Sequence, residues 1–401
     1  MYFLWEEENL IKLLLGILAL GLHALYGEAT LHAVPAFTLD LSLPPRQRWA
    51  GAVATVMTHH SWSDSFGPVF GLYDPMLSRL PFNTSETLLG ILRERYPVEY
   101  EELLGLSEAL YIHDPSISPE KMVLYVFMTE LLHVKDVGLG SVRPGCTGIL
   151  LQTRGGEVLH GRNMDLQPLQ ARNITLNITV INSTTNSVLY SVFDWSWVTM
   201  GFATASRLGG VTLEQNWRVA EDGLPQPWAA TMERLLDPRT IPIQFVHRII
   251  QEKAMNFDAA VALLKTSLFA APFYNIVSGP GGRGAVLSVD WHKEKSVVEF
   301  LSEPVGSFLV QTNYDRWLPD PPADPRRTVA ERTLILLLGS SEGAPRVPVT
   351  LLEQRPGDLV LWMALSEYPV YEVSTMFSVI LSVNKDPEGY VRDPLVPKVP
   401  R

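Results

Sequence analysis

The first third of the chain carries the apolar spacing and end signals of helices. Asn83-Thr84-Ser85-Glu86 has the form of a capping box and predicts a helix that runs to about Tyr96. Ser118-Pro119-Glu120 supplies a cap residue, a proline at the first helical position and an acid in the first turn. It predicts a second helix to about His133, apolar around most of its circumference from Met122 to Leu132. Such a helix is more often buried than lipid-binding.

From Cys146 onward the pattern changes to that of strands. Residues 147–153 and 158–163 flank the turn sequence Arg154-Gly155-Gly156-Glu157 and predict a hairpin. Residues 173–180 alternate polar and apolar at period two, which predicts a strand whose wet face carries Asn173 and Asn177. Further predicted helices lie at 227–236, 242–253, 256–267 and 327–338, and further strands at 273–279, 285–291, 296–302 and 307–312. Strands, helices and strands within one unit indicate an α+β architecture of sheets covered by helices.

The amino-acid composition is that of a globular protein, and its negative charge argues against one class of partner. The 401 residues are 46% hydrophobic and 19% charged, with a formal net charge of −11. Nucleic-acid phosphates would be repelled by this charge, and no basic cluster offsets it, so no nucleic-acid partner is expected. The familiar ligand spacings of zinc sites are also absent, so we predict no metal and no cofactor.

Two features predict secretion. The apolar run Leu13–Leu25 is too short to span a bilayer and precedes the small-residue pattern Gly27-Glu28-Ala29, so residues 1–29 are predicted to be a signal peptide. Glu6, Glu7 and Glu8 depart from the usual cationic start of such a segment. The chain also has four glycosylation sequons, at Asn83, Asn173, Asn177 and Asn182. A lysosomal or secreted location follows from both features.

Cys146 is the only cysteine in the chain, and an unpaired thiol in an oxidising compartment suggests a reagent. A papain-type site would need a histidine base, and nine histidines are available, but Gly145-Cys146-Thr147-Gly148 begins a strand and lacks the flanking residues of that family. No GxSxG elbow of a serine hydrolase is present.

Four short blocks, taken in order, resemble the N-terminal nucleophile amidases related to acid ceramidase and N-acylethanolamine acid amidase. The resemblance extends from about Phe37–Leu41 to Tyr390–Pro394 and so covers most of the mature chain. The blocks are Cys146-Thr147-x-Ile149, His160-Gly161-Arg162-Asn163-Met164-Asp165, Gln311-Thr312-Asn313-Tyr314-Asp315-Arg316-Trp317 and Asp324-Pro325-Arg326-Arg327-Thr328.

By this resemblance the fold is an αββα layered sandwich, and the precursor cuts itself before Cys146. The products would be a helical α chain, residues 30–145, and a β chain, residues 146–401, that contains the catalytic core. The cut would leave a thiol and an α-amino group on one residue, so that nucleophile and base come paired. Their ordinary pKa values are about 8.5 and about 8, so work in acid requires internal proton transfer or nearby positive charge.

The resemblance also implies a role for each remaining site residue. Asp165 would bind the new α-amino group, and Arg162 would lie near the thiol and favour its anion. Asn313 would donate its side-chain N–H to the oxyanion of the tetrahedral intermediate. Arg326 would organise the site by pairing with carboxylates.

The sequence departs from the family in two respects. Family members carry an Asn-Glu-Arg triplet with its glutamate in the site, whereas the stretch taken here as its counterpart reads Thr212-Leu213-Glu214-Gln215-Asn216. The acid is therefore displaced, or replaced by Gln215. The additional cysteines of acid ceramidases are also absent, which places the chain nearer to N-acylethanolamine acid amidase.

The predicted function is hydrolysis of the amide of an N-acylethanolamine-type lipid to a fatty acid and an amine, through a Cys146 thioester. Alternatives are ceramide as the substrate, or a catalytically weak lipid-binding glycoprotein of the same fold. The predicted partners are the lipid amide, a transient membrane or micelle surface, and the α and β chains for each other. The apolar helix Met122–Leu132 motivates the hypothesis that the α chain helps to load the acyl chain, on a surface that self-cleavage partly uncovers, with Val126 and Phe127 as the positions that test it.

Overall fold

The computed structural model describes residues 31–135, 137, 145–218, 226–292, 295–302, 306–338 and 357–392. The predicted signal peptide, residues 1–29, lies outside these ranges. Asp393 and Pro394, at the end of the family resemblance, lie outside them as well.

The described strands fall into an early pair and a later majority that begins at the only cysteine. They are β1 (Leu31–His32), β2 (Ala36–Asp40), β3 (Gly145–Gln152), β4 (Val158–Asp165), β5 (Leu176–Asn182), β6 (Ser187–Asp194), β7 (Thr204–Ser206), β8 (Thr212–Trp217), β9 (Phe273–Gly279), β10 (Arg283–Val289), β11 (Val297–Phe300), β12 (Phe308–Gln311), β13 (Thr375–Leu381) and β14 (Glu388–Arg392).

The described helices are concentrated in three parts of the chain. They are α1 (Ala50–His59), α2 (Phe66–Leu77), α3 (Thr84–Arg95), α4 (Pro97–Tyr111), α5 (Pro119–Val126) and α6 (Met128–Leu131), then α7 (Trp228–Leu236), α8 (Ile243–Glu252) and α9 (Phe257–Thr266), and finally α10 (Arg326–Leu338) and α11 (Gly357–Ser366). No helix in the described ranges is long and apolar enough to cross a membrane.

The strands form two sheets that stack face to face. One has the order β1-β14-β13-β4-β3-β12, and the other has the order β11-β10-β9-β8-β7-β6-β5-β2. Only β2 and β5 pair in parallel among the described strands. One apolar cluster between the sheets consists of Leu150, Val158, Ile276, Val286, Leu301 and Leu309.

Helices cover the outer face of each sheet. Ala330 and Leu334 of α10 and Leu361 of α11 pack on the first sheet. Val246 of α8 and Leu264 of α9 pack on the second. Alternation along β3 explains the division, since odd-numbered residues face helices and even-numbered residues, Cys146 included, face the other sheet. The molecule is thus an αββα sandwich, which confirms the predicted α+β fold.

The predicted helix from Ser118 to His133 is two helices, α5 and α6, which meet at Phe127. Ser118 caps the first as expected, since its Oγ accepts a hydrogen bond from the backbone N–H of Lys121 at 3.3 Å. Val126 and Phe127 are fully buried in the core. The buried interpretation of this helix is therefore confirmed, and Val126 and Phe127 form no lipid-loading surface in the intact chain. Exposure of part of this helix by a cut stays a prediction.

Two sequence predictions around the sequons also need correction. Asn83 precedes α3, but its side chain makes no capping hydrogen bond. The predicted strand 173–180 divides into a 3-10 turn (Leu169–Ile174) and β5. Asn173 therefore does not share a strand face with Asn177, and its Nδ2 donates to the backbone oxygen of Asp64 at 2.6 Å. Glycosylation at all four sequons stays a prediction.

A buried acid on α6 joins the helices that precede β3 to α8, which covers the second sheet. Glu130, on α6, is fully buried, and its Oε1 accepts a hydrogen bond from the backbone N–H of Ile243 at 2.7 Å. Its Oε2 has no hydrogen-bond partner. Burial raises the pKa of Glu130 to about 8, against the smaller opposing effect of that backbone donor.

This shift predicts a pH-dependent contribution to stability. A carboxyl with a raised pKa in the folded state binds its proton more tightly there than in the unfolded chain, so its contribution is complete below about pH 4.5 and is lost as the pH rises to about 8. As the pH rises from about 4.5 to about 8, we expect the Tm of the parent to fall relative to the Tm of Glu130→Gln. Thermal unfolding in a Cys146→Ala background keeps the covalent state constant, and a constant difference in Tm would contradict the assignment.

Candidate active site

The pairing of β3 with β4 places the cysteine beside an arginine. Cys146 lies opposite Met164, and Gly148 lies opposite Arg162. Because alternate residues of a strand share a face, the side chains of Arg162 and Met164 meet that of Cys146 on the inner side of the sheet. Arg162 Nη2 lies 3.7 Å from Cys146 Sγ and 3.3 Å from Met164 Sδ.

Asn313 and Arg326 reach the same point from β12 and α10. Asn313 follows β12, and its Oδ1 accepts the backbone N–H of Cys146 at 2.9 Å. Arg326 opens α10 and donates from Nη2 to that same Oδ1 at 2.8 Å. Its Nη1 donates to the backbone oxygen of Cys146 and to Asp165 Oδ2, both at 3.0 Å. Arg162, Asn313 and Arg326 therefore contact the thiol or the backbone of Cys146, and Asp165 joins them through Arg326, so the structure brings the five residues predicted from the sequence together.

Arg326 makes fewer hydrogen bonds to Asp165 than to Asp324, which lies two residues before it in the chain. Asp324 contacts both Nε and Nη2 of Arg326 at 2.7 Å, whereas Asp165 accepts a single bond and a second one from Thr375 Oγ1 at 2.5 Å. Burial raises the pKa of Asp165 above its usual range, and Arg326 opposes that rise. The division of one guanidinium between two acids explains why burial prevails at Asp165.

The residue before Cys146 is closely enclosed by the side chains around it. A Cβ on Gly145 would stand 3.0 Å from Cβ of Asp165 and 3.1 Å from Nη1 of Arg326. A side chain at this position would therefore push against the residues that hold Cys146 in place.

Burial keeps the thiol of Cys146 in its protonated form. It raises the pKa of Cys146 to about 11, and the positive charge of Arg162 only partly offsets this rise. Deprotonation of the thiol would need a proton acceptor close to it.

A small cavity of about 70 Å³ opens beside Cys146, and its wall comes from both sides of Gly145. The segment before Gly145 contributes Tyr73, Met128, Thr129 and Leu132, and the segment after it contributes mainly Met164, Trp195, Gln215, Trp217 and Gln244. Gln215 thus lines the cavity, whereas Glu214 points to the opposite side of β8, towards the first sheet.

Two residues of the site were missed by the sequence reasoning. The indole of Trp217 lines the cavity and stacks on the imidazole of His133, with ring centroids 3.8 Å apart and planes inclined by 9°. The backbone oxygen of Trp217 accepts the Nδ2 hydrogen bond of Asn313 at 2.8 Å. One signal was available, because Asn216-Trp217-Arg218 keeps the first and last residues of the Asn-Glu-Arg triplet. For His133 the sequence gives no signal.

No group of three or more His, Cys, Asp or Glu side chains is placed to hold a metal ion within the described ranges.

Comparison with known proteins agrees with the site. No family model matches the sequence. The chain is 25% identical to human acid ceramidase over 387 residues, which cover 90% of this chain and 87% of the human protein. It is 23% identical to rat acid ceramidase over 376 residues, 90% of this chain and 86% of the rat protein. Among solved structures, a Caenorhabditis elegans N-acylethanolamine-hydrolyzing acid amidase ortholog has 25% identity and a TM-score of 0.46, and the match covers 60% of this chain and 94% of that one. The resemblance drawn from the four sequence blocks is confirmed, and the chain is related to the acid ceramidases over 90% of its length.

Proposed function

We propose that this protein is a self-processing acid amidase that hydrolyses the amide of an N-acyl lipid to a fatty acid and an amine. The observation that carries the proposal is the convergence of Arg162, Asp165, Asn313 and Arg326 on one buried cysteine. Kinship with the acid ceramidases supports the reaction class, a cysteine amidohydrolase that acts on linear amides.

Self-cleavage begins with attack of Cys146 Sγ on the carbonyl carbon of Gly145. The C–N bond breaks as the C–S bond forms, and the nitrogen takes the proton and becomes the α-amino group of Cys146. Water then hydrolyses the thioester and frees the thiol. Arg326 supports the first step because it fixes the backbone of Cys146 through its carbonyl oxygen. The proposed products are the α chain, residues 30–145, and the β chain, residues 146–401.

Turnover uses the pair of groups that the cut creates. The α-amine takes the thiol proton, the thiolate attacks the substrate amide, and the proton passes to the departing amine. Water then releases the fatty acid from the thioester. Asn313 Nδ2 carries two hydrogens, of which Trp217 O takes one, so the other remains for the oxyanion of the tetrahedral intermediate.

The substrate class follows from the cavity wall and the relatives. Met128, Leu132, Met164 and Trp217 give the cavity beside Cys146 an apolar surface suited to an acyl chain. N-acylethanolamines are the first proposed substrates, since the chain lacks the additional cysteines of acid ceramidases. Ceramide is the second candidate, because the matched relatives are acid ceramidases. The meeting of Arg162, Asn313 and Arg326 at the cysteine argues against a lipid-binding protein without activity.

The cellular setting belongs to the same proposal. A signal peptide at residues 1–29 would deliver the protein to the lysosome or the exterior, where a transient membrane or micelle surface supplies the lipid. Because the cavity wall includes residues from both sides of Gly145, the two chains are proposed to stay together after the cut.

We predict that the purified precursor cuts itself at acidic pH and that the larger fragment begins Cys-Thr-Gly-Ile. Gly145→Ala should slow the cut, because its Cβ meets Asp165 and Arg326, whereas Gly155→Ala, whose Cβ would meet Thr153 Oγ1 at an ordinary 3.8 Å, should not. Gel analysis and N-terminal sequencing after incubation at pH 4.5 give the answer. A wild-type chain that stays intact while it hydrolyses substrate would rule out this mechanism.

Asn313→Ala should lower kcat about 10²- to 10³-fold once the chain is cut, because an oxyanion donor contributes roughly 2.7 to 4 kcal/mol. Cys146→Ala should abolish both the cut and turnover. Asn384→Ala, at an exposed position away from the site, serves as the matched control. Equal kcat values for Asn313→Ala and wild type would remove Asn313 from the site.

Fatty-acid release from a panel of N-acylethanolamines and ceramides tests the substrate class directly. Burial of each methylene contributes roughly 0.8 kcal/mol, so kcat/KM should rise with acyl length until the groove is full. A preference for N-acylethanolamines supports the first candidate, and a preference for ceramides supports the second. Release of no fatty acid from any lipid by cut protein would refute the proposed activity.

A further inference from the structure

A second buried acid lies behind Arg162, on the side away from the cavity. His160 and Arg162 are two residues apart on β4 and share the face that looks onto the second sheet, where β8 brings Glu214 against them. His160, Arg162 and Glu214 are all fully buried. Removal of three ionisable groups from water is costly unless they are paired, so their arrangement needs an explanation.

Glu214 is fixed by its neighbours on two sides. Its Oε2 lies 2.8 Å from His160 Nε2, and His160 Nδ1 lies 2.8 Å from Thr212 Oγ1. The carboxylate also packs against the backbone of Gly148, where a Cβ would stand only 2.6 Å from Oε2. The glycine two residues after the nucleophile thus makes room for this acid.

The other oxygen of Glu214 faces Arg162. Oε1 lies 3.7 Å from Arg162 Nε, within ion-pair range and too far for a hydrogen bond, and neither atom has a hydrogen-bond partner. The far end of the same guanidinium donates from Nη2 to the backbone oxygen of Gln215 at 2.9 Å and lies 3.7 Å from Cys146 Sγ. One buried cation is therefore shared between the carboxylate of Glu214 and the thiol of Cys146.

We propose that Glu214 is a positioning residue for the nucleophile: anchored by His160 and Gly148, it sets the place of Arg162 and the share of its positive charge that reaches Cys146. The inference rests on the proposed function only in that Cys146 is taken as the nucleophile. Among the groups around this pair, Asp165 acts on the thiol, and Asp194 and His247 act on the Arg162 guanidinium. Glu214 is the acid whose side chain bridges Arg162 to a second strand.

The consequence is a thiol that is less acidic than Arg162 alone would make it. The negative charge of Glu214 raises the pKa of Cys146 and adds to the effect of burial, while Arg162 lowers it. A substitution that removes the charge of Glu214 and keeps its shape should therefore lower the pKa of the Cys146 thiol, because the positive charge of Arg162 is then no longer opposed by this acid.

The single cysteine makes this measurable without a substrate. Alkylation by iodoacetamide, followed by intact mass spectrometry as a function of pH, reports Cys146 alone and separates cut from uncut chains. Glu214→Gln should move the rate profile to lower pH, and each pH unit of movement raises the rate at fixed pH about tenfold below the midpoint. Glu214→Asp keeps the charge and should keep the parent profile.

Two controls separate this role from a purely structural one. Glu102→Gln removes another buried, ion-paired carboxylate, on α4. It should change Tm without moving the pH profile of Cys146 alkylation. If Glu214→Gln does not fold, Glu214→Met, of similar length and without charge, carries the same expectation.

An unmoved profile in the uncharged variant, or the same movement in Glu214→Asp, would overturn the proposal. Because no substrate is used, failure of the lipid panel leaves this result intact, and a negative alkylation result leaves the lipid activity intact.

Discussion

The site depends on one buried guanidinium, that of Arg326. It holds the carbonyl oxygen of Cys146, the carboxylate of Asp165 and the amide oxygen of Asn313 at once, while Asp324 anchors it from the other side. Loss of one partner from a buried ion pair costs about 3 to 5 kcal/mol, because the remaining charge stays unpaired. The position of the nucleophile is thus tied to the start of α10, outside the two sheets.

The burial that fixes the position of Cys146 also keeps its thiol protonated and leaves little space beside it. A thiol between two sheets is protonated, and its cavity of about 70 Å³ is too small for a long acyl chain. Since the wall of that cavity belongs partly to α6 and partly to the strands after Gly145, a cut between them would change both the chemistry and the space. One event would create the amine base and release the restraint on the wall.

Sequence alone predicted much of this arrangement, for identifiable reasons. Period-two and period-3.6 patterns are local, so β9 and the helices α7 to α9 were placed within a residue or two. The five site residues lie in short blocks that keep their order, and Arg162, Asp165, Asn313 and Arg326 gather around Cys146. The features that the sequence did not predict depend on contacts between residues that are far apart in the chain. Nothing in the segment Ser118–His133 indicates the break at Phe127, and the stacking of His133 on Trp217 depends on packing between distant segments. Period two could not distinguish the 3-10 turn before β5 from the strand itself.

We propose that Cys146, freed at its amino group, is the residue that becomes acylated. The test is brief incubation of the acid-treated protein with an N-acyl lipid, followed by quenching in acid and peptide mass spectrometry. We expect a thioester on the first residue of the fragment that begins at Cys146, removable by hydroxylamine, with its α-amine unmodified. An acyl group on any other residue, or acylation of Cys146 in a chain that is still joined to Gly145, would contradict it.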